Sequence, residues 1–179
     1  MWRIGDEAMN KGKNCAIIGE PPMCYVWGYD EEDQRCCATK LLLLNRLSRL
    51  QTEGITDFFI PLDAGVGLYA AEMVIALMAS NPNLHLHCLI PYKDQACKWT
   101  PELRDRYYNV LEKCTDSAPV SLNFSLTCDI DAVMEAIDQS NTLIAVQSDE
   151  TAQDKVFSVA LRYARRISRR IELIRAPHI

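Results

Sequence analysis

The sequence has no apolar run approaching the ~18 residues of a membrane-spanning helix, so a helical membrane protein is not expected. It also lacks an excess of positive charge: 19 Lys and Arg stand against 24 Asp and Glu, a formal net charge of −5. A general nucleic-acid binder carries a basic footprint, and a protein that docks on anionic lipid carries a polybasic patch. Neither class is expected here. Among its eight cysteines there is no CxxC pair and no Cys/His spacing of zinc type, so no metal is assigned. Cys15 and Cys88 lie inside apolar runs, and Cys36 and Cys37 open a helical pattern. We read these thiols as reduced, small apolar residues, which suits a cytoplasmic protein. Met1 to Lys13 is polar, without the apolar stretch of a signal peptide. Residues 1–13 are expected to be a flexible lead-in, and residues 14–179 a single domain. Repeats, low-complexity tracts and linkers are absent.

What is present fits an α/β domain. A chain of 179 residues at 49% hydrophobic has ample material for one core covered on two faces. Short apolar runs read as strands at residues 15–19, 57–60, 84–90, 120–124, 142–146 and 171–174. Between them lie helical patterns at residues 36–53, 68–80, 101–114, 130–139 and 152–168. In the first of these, Leu41, Leu44, Leu47 and Leu50 are expected to form the inward stripe, with Gly54 closing the helix. Strand–helix alternation repeated five times predicts a Rossmann-like three-layer sandwich with a mostly parallel central sheet. The near-continuous apolar strands agree with a sheet covered on both sides.

In such a sheet, ligands bind beyond the carboxyl ends of the strands, where the strand order reverses. Three loops leave carboxyl ends: Gly19-Glu-Pro-Pro22, Asp63-Ala-Gly-Val-Gly67 and Gln147-Ser-Asp-Glu150. Gly65, Val66 and Gly67 open a helix, whose free N–H groups favour an anion. The pattern alone fits a phosphate cradle and an unliganded tight turn equally well.

The residues also combine into something more specific. Gly19-x-x-Pro22, Trp27-Gly-Tyr-Asp-Glu-Glu-Asp33 with Arg35-Cys36, and Gly65-Val66 with Leu68-Tyr69 and Ala70-Ala71-Glu72 resemble the YpsA-like branch of the SLOG superfamily. So do Ile90-Pro91, Gln95, Trp99, Arg106-Tyr107 and Arg162-Tyr-Ala-Arg-Arg166. DprA and the cytokinin-activating LOG proteins are related. The likeness runs over roughly residues 14–174. It implies a Rossmann-like fold and a nucleotide or nucleotide-derived ligand rather than a resident cofactor. Some relatives cleave an N-glycosidic bond. The chain departs from the pattern at four places. It has Gly19-Glu20-Pro21-Pro22 where members tend to read Gly-His-Arg-Pro, and Ile60-Pro61 where they tend to read Ser-Gly. It has Gly67 where they tend to carry Asp. Residues 149–156 lack the common Gly-Gly-Thr cluster. Pro has no N–H to donate and a lost Arg is a lost bidentate phosphate partner. Glu20, Asp63, Asp149 and Glu150 are expected to surround the pocket with negative charge, which disfavours phosphate.

The resulting expectation is a divergent ligand-binding module, with or without catalysis. Its ligand site is placed at Gly19, Glu20, Gly65, Val66, Gly67 and Ser148, with Trp27 and Trp99 at the rim. A nucleotide N-glycosidase using Glu72 and Asp63 is the enzymatic alternative, and a non-catalytic interaction scaffold is the third. Glu72 reads equally as a structural partner for a cation. His85 and His87 share one strand face but lack a third ligand. Arg162, Arg165, Arg166 and Arg169 form one helical face, read as solvated. The very apolar helix at 68–80 needs full cover, compatible with a homo-oligomer.

Overall fold

The computed structural model describes residues 13–177. The expected lead-in lies almost wholly outside them. Six strands form one sheet: β1 (Asn14–Gly19), β2 (Asp57–Pro61), β3 (His85–Tyr92), β4 (Asp116–Ser121), β5 (Thr142–Gln147) and β6 (Arg170–Arg175). Their order is β4-β3-β2-β1-β5-β6 and every pair is parallel. Five helices connect them: α1 (Gln34–Thr52), α2 (Val66–Ser80), α3 (Pro101–Lys113), α4 (Cys128–Asp138) and α5 (Lys155–Arg166). This is the Rossmann-like three-layer α/β sandwich that the alternation predicts. From β1 the chain builds outward through β2, β3 and β4. It then returns to the other side of β1 as β5, so strand order reverses between β1 and β5.

The two cores follow from the period-2 alternation of the strands. Cys15, Ile17, Phe58, Ile60, Leu86, Ile144 and Val146 face α1, α2 and α3. Ala16, Ile18, Leu143 and Ala145 face α4 and α5, where Ile137, Phe157, Ala160 and Leu161 meet them. Helix α2, the most apolar, packs against β1, β2 and β3 between α1 and α3. Its first turn is fully covered within the chain, while Met73, Ile75, Leu77 and Met78 are partly buried. Among the described residues, no helix is long and apolar enough to cross a membrane.

Three expectations are corrected. In α1 the buried residues are Cys36, Thr39, Leu43, Leu47 and Leu50, while Leu41 is 58% exposed. The run Leu41–Leu44 fills every angular position around the helix, and packing selects the row through Leu43. Strand β4 lies at 116–121 rather than 120–124. It is an exposed edge strand, which tolerates Pro119, and the apolar residues Leu122, Phe124 and Leu126 belong to an exposed loop beyond it. Helix α5 ends at Arg166, so Arg169 is not on its face. Its guanidinium instead donates to the carbonyls of Ile137 and Asp138 at the end of α4. His87, not expected to be a metal ligand, is held between two carboxylates, Nε2 to Asp57 and Nδ1 to Asp116 at 2.9 Å each, at the amino ends of the strands. No group of three or more His, Cys, Asp and Glu among the described residues is arranged to hold a metal ion.

Candidate functional site

The carboxyl ends of β1, β2 and β3 open into a cleft of ≈ 400 Å³. Its floor is Ile18, Gly19, Pro61 and Leu62, and its walls are Pro21, Pro22, Asp63, Ala64, Pro91 and Gln95. Aromatic side chains also line it: Tyr29, Tyr92, Trp99 and Phe124, with the buried ring of Phe157 contributing from the core. Asp129 and Asp154 come from the starts of α4 and α5. Among the described residues, no Lys, Arg or His lines this cleft. A second, more open groove of ≈ 700 Å³ adjoins it, with Tyr29, Ala64 and Trp99 as the shared wall.

Glycine lets the backbone elements converge here. A Cβ on Gly19 would lie 2.4 Å from Cβ of Val66, so β1 ends in direct contact with the first turn of α2. A Cβ on Gly67 would lie 2.4 Å from the carbonyl oxygen of Pro61. The cradle expected at Gly65–Gly67 forms, but the chain fills it. Asp63 Oδ1 accepts from the amides of Gly65 (2.6 Å) and Gly67 (3.2 Å). Gly65, the residue before the helix, has no side chain to cap it, and Asp63 serves from two positions earlier. Burial pushes the Asp63 carboxyl up; the two amide bonds oppose this and the charge of Asp129 adds to it, leaving it at about 6.

That shift gives a signed prediction. The Asp63 carboxyl is protonated more readily in the folded than in the unfolded chain. Its ionisation therefore costs stability, and the cost appears as pH rises from the ordinary carboxylate range, about 3.9, through about 6. Asp63→Asn keeps an oxygen for both amides and removes the charge. Its Tm relative to wild type should rise between pH 4.5 and pH 7.5 in matched thermal melts; a constant difference would contradict the assignment.

A second cradle lies across β1. Glu20 is fully buried. Its Oε2 accepts from the Ser148 amide (2.7 Å) and hydroxyl (2.6 Å), and its Oε1 from the amides of Gln153 (2.6 Å) and Asp154 (2.7 Å). Four donors converging on one carboxylate are the contact set of an oxyanion in a backbone nest. Glu20 thus sits beneath the cleft rather than on its wall, and Ser148 serves Glu20. The Tyr25 hydroxyl locks the same junction, accepting from the Glu20 amide (3.1 Å) and donating to the Val146 carbonyl (2.8 Å). Burial pushes that phenol well above its usual range.

Other expected residues lie elsewhere. Trp27 is 6% exposed and stacks on Tyr25 with centroids 4.6 Å apart, so it is a core residue and not at the rim. Asp149 and Glu150 are not among the lining residues. Glu72 is also absent from the lining. Arg106 grips it with two bonds, 2.8 and 2.9 Å, and grips Glu31 with two more, 2.5 and 3.2 Å. Glu72 therefore ties α2 to α3 and to the loop before α1. Glu72→Gln should lower stability by about 1 kcal/mol in denaturant titrations, as one arm of a half-exposed ion-pair network.

Asp129, Asp154, Tyr92 and Phe124 were not anticipated from sequence. Asp154 had a local signal, since its Oδ2 caps α5 at the Phe157 amide. Phe124 and Tyr92 meet only in three dimensions, edge to face at 5.4 Å.

Comparison with known proteins gives the family. The YspA SLOG family (YpsA) matches residues 25–176. The chain belongs to that family. A UPF0398 protein of Halalkalibacterium halodurans is 38% identical over 60 residues, 34% of this chain and 32% of that protein. A UPF0398 protein of Brevibacillus brevis is 30% identical over 83 residues, 46% of this chain and 44% of the relative. One from Bacillus licheniformis is 29% identical over 83 residues, 46% of this chain and 45% of its own length. The match thus spans a third to under half of these relatives.

Proposed function

We propose that this SLOG-family chain is a small-molecule-binding module that holds the base or base-like ring of a nucleotide-derived ligand in the cleft beyond β1, β2 and β3. The observation that carries this reading is the set of aromatic side chains lining a concave site of ligand size at the reversal of strand order. Trp99 is anchored edge to face on Tyr107 at 5.3 Å, and so offers its ring from a fixed position.

Calorimetric titration with adenosine, guanosine, AMP and ADP-ribose tests the reading. Saturable 1:1 binding of at least one of them is expected, weakened about 5- to 150-fold by Trp99→Ala, the loss of one base–aromatic stack of about 1–3 kcal/mol. No binding by any of the four would overturn it.

One observation favours a second, hydrolytic reading. A carboxyl held at about 6 inside the cleft, as Asp63 is, suits a general acid working near neutrality. Chromatography of AMP incubated with the protein separates the two. Release of adenine that disappears in Asp63→Asn supports hydrolysis; its absence with retained binding supports the module.

A further inference from the structure

We infer that the cleft selects positively charged, phosphate-free ring compounds of nucleoside type, and that Glu20 is the residue that excludes phosphate. This rests on the proposed nucleotide-derived ligand and narrows its chemical class.

Two groups of backbone amides at the reversal of strand order have the geometry that binds an oxyanion, and both are occupied from within. The amides of Ser148, Gln153 and Asp154 hold Glu20, and those of Gly65 and Gly67 hold Asp63. A ligand phosphate seeking either set would have to displace a carboxylate that already satisfies it. The rest of the cleft offers phosphate no compensation, because no cationic side chain among the described residues lines it.

The same surface suits a cation. Asp63, Asp129 and Asp154 present three carboxyl groups to one cleft. Asp63 engages both of its amides through Oδ1, and Asp154 engages the Phe157 amide through Oδ2. Each keeps its second oxygen outside these bonds, able to accept from a ring N–H or amino group. The aromatic rings supply faces that attract a cationic ring more strongly than a neutral one. Opposite unit charges ~4 Å apart near a protein surface attract by several kcal/mol. Even a small part of that separates a charged ring from its neutral counterpart by an order of magnitude.

The test is a calorimetric ranking of 1-methyladenosine, which is cationic at pH 7, against neutral adenosine and anionic AMP on the wild-type protein. The expected order is 1-methyladenosine at least tenfold tighter than adenosine, and adenosine at least tenfold tighter than AMP. AMP binding as tightly as adenosine, or adenosine as tightly as its methylated form, would overturn the inference and leave the binding reading intact. Binding by none of these, nor by guanosine or ADP-ribose, would overturn both. The role of Glu20 is read separately. In Glu20→Ala the emptied amides should take inorganic phosphate, so phosphate should raise the variant's Tm over chloride at equal ionic strength and leave the wild type unmoved. An equal response of the two proteins would refute that role. Should Glu20→Ala not fold, Pro21→Arg places a cation on the exposed cleft wall instead. It should tighten AMP at least tenfold and weaken 1-methyladenosine; no change in either would count against the charge account.

Discussion

Glu20→Ala is expected to lower the Tm of this protein by about 6–12 °C. The side chain is completely buried, and both oxygens are used, each by two donors. Deleting it leaves four donors at the junction of β1, β5 and α5 without their acceptor. Each hydrogen bond to a charged group contributes about 1.5–3 kcal/mol net, and water admitted to the gap recovers part of the sum. A loss of about 3 kcal/mol remains. In a domain of this size each kcal/mol moves Tm by about 2–4 °C. Glu20→Gln retains one oxygen for one pair of donors but turns an N–H toward the other pair, so it should fall between wild type and alanine. Circular-dichroism melts decide the matter. A drop below about 2 °C for Glu20→Ala would show that the four contacts do not hold the loop at 148–154.

Gly67→Ala is expected to cost about 3 kcal/mol, at the upper end of overpacking substitutions. The new methyl would sit 2.4 Å from the Pro61 carbonyl oxygen, a backbone atom at the end of a central strand. Nothing flexible can yield there. Gly19→Ala meets a different obstacle, the side chain of Val66 at the same 2.4 Å. Replacing Val66 by Gly removes it. A double-mutant cycle between Gly19→Ala and Val66→Gly should therefore show favourable coupling of about 1 kcal/mol or more, as contacting residues do. Gly67→Ala should show no comparable rescue by any side-chain truncation. Urea titration of the single and double variants measures both outcomes; additive Gly19 and Val66 effects would contradict the contact.

These two predictions share a cause. The chain's departures from the SLOG pattern meet in space as two pairs. Gly67 approaches Pro61, and Glu20 reaches the loop at 148–154 that lacks the glycine cluster. Where a side chain at residue 67 would strike Pro61, there is none. Where an oxyanion would rest on the loop amides, Glu20 supplies one. Neither pairing is visible along the chain, because Glu20 and Ser148 are 128 residues apart.

The architecture was legible for a simple reason. Parallel strands buried on both faces must be largely apolar, and the middles of β1 and β5 are, as are β2 and β3 beyond the polar residues Asp57, His85 and His87 at their amino ends. Strand β4 was misplaced because an edge strand carries no such requirement, while the apolar residues just after it lie exposed in a loop. The helix α1 pattern failed at Leu41 because four consecutive leucines leave the inward row to be chosen by packing. At the site, sequence located the three loops and marked residues 65–67 as either an anion cradle or an unliganded tight turn, without deciding between them. It could not say what the amides there hold, since that depends on where Asp63 and Glu20 point once the strands align. Trp27 was placed at a rim on the strength of its loop position, yet its ring lies flat on Tyr25 inside the core. Glu72 drew notice as a lone carboxylate; Arg106, its partner, comes from a helix 34 residues on.

A crystal structure of the protein soaked with 1-methyladenosine and, separately, with AMP tests the central claim most directly. The account predicts the methylated ring seated among Tyr29, Trp99 and Phe124, with Glu20 still on the amides of Ser148, Gln153 and Asp154 in both crystals. A phosphate group resting on those amides, with Glu20 turned away from them, would contradict it.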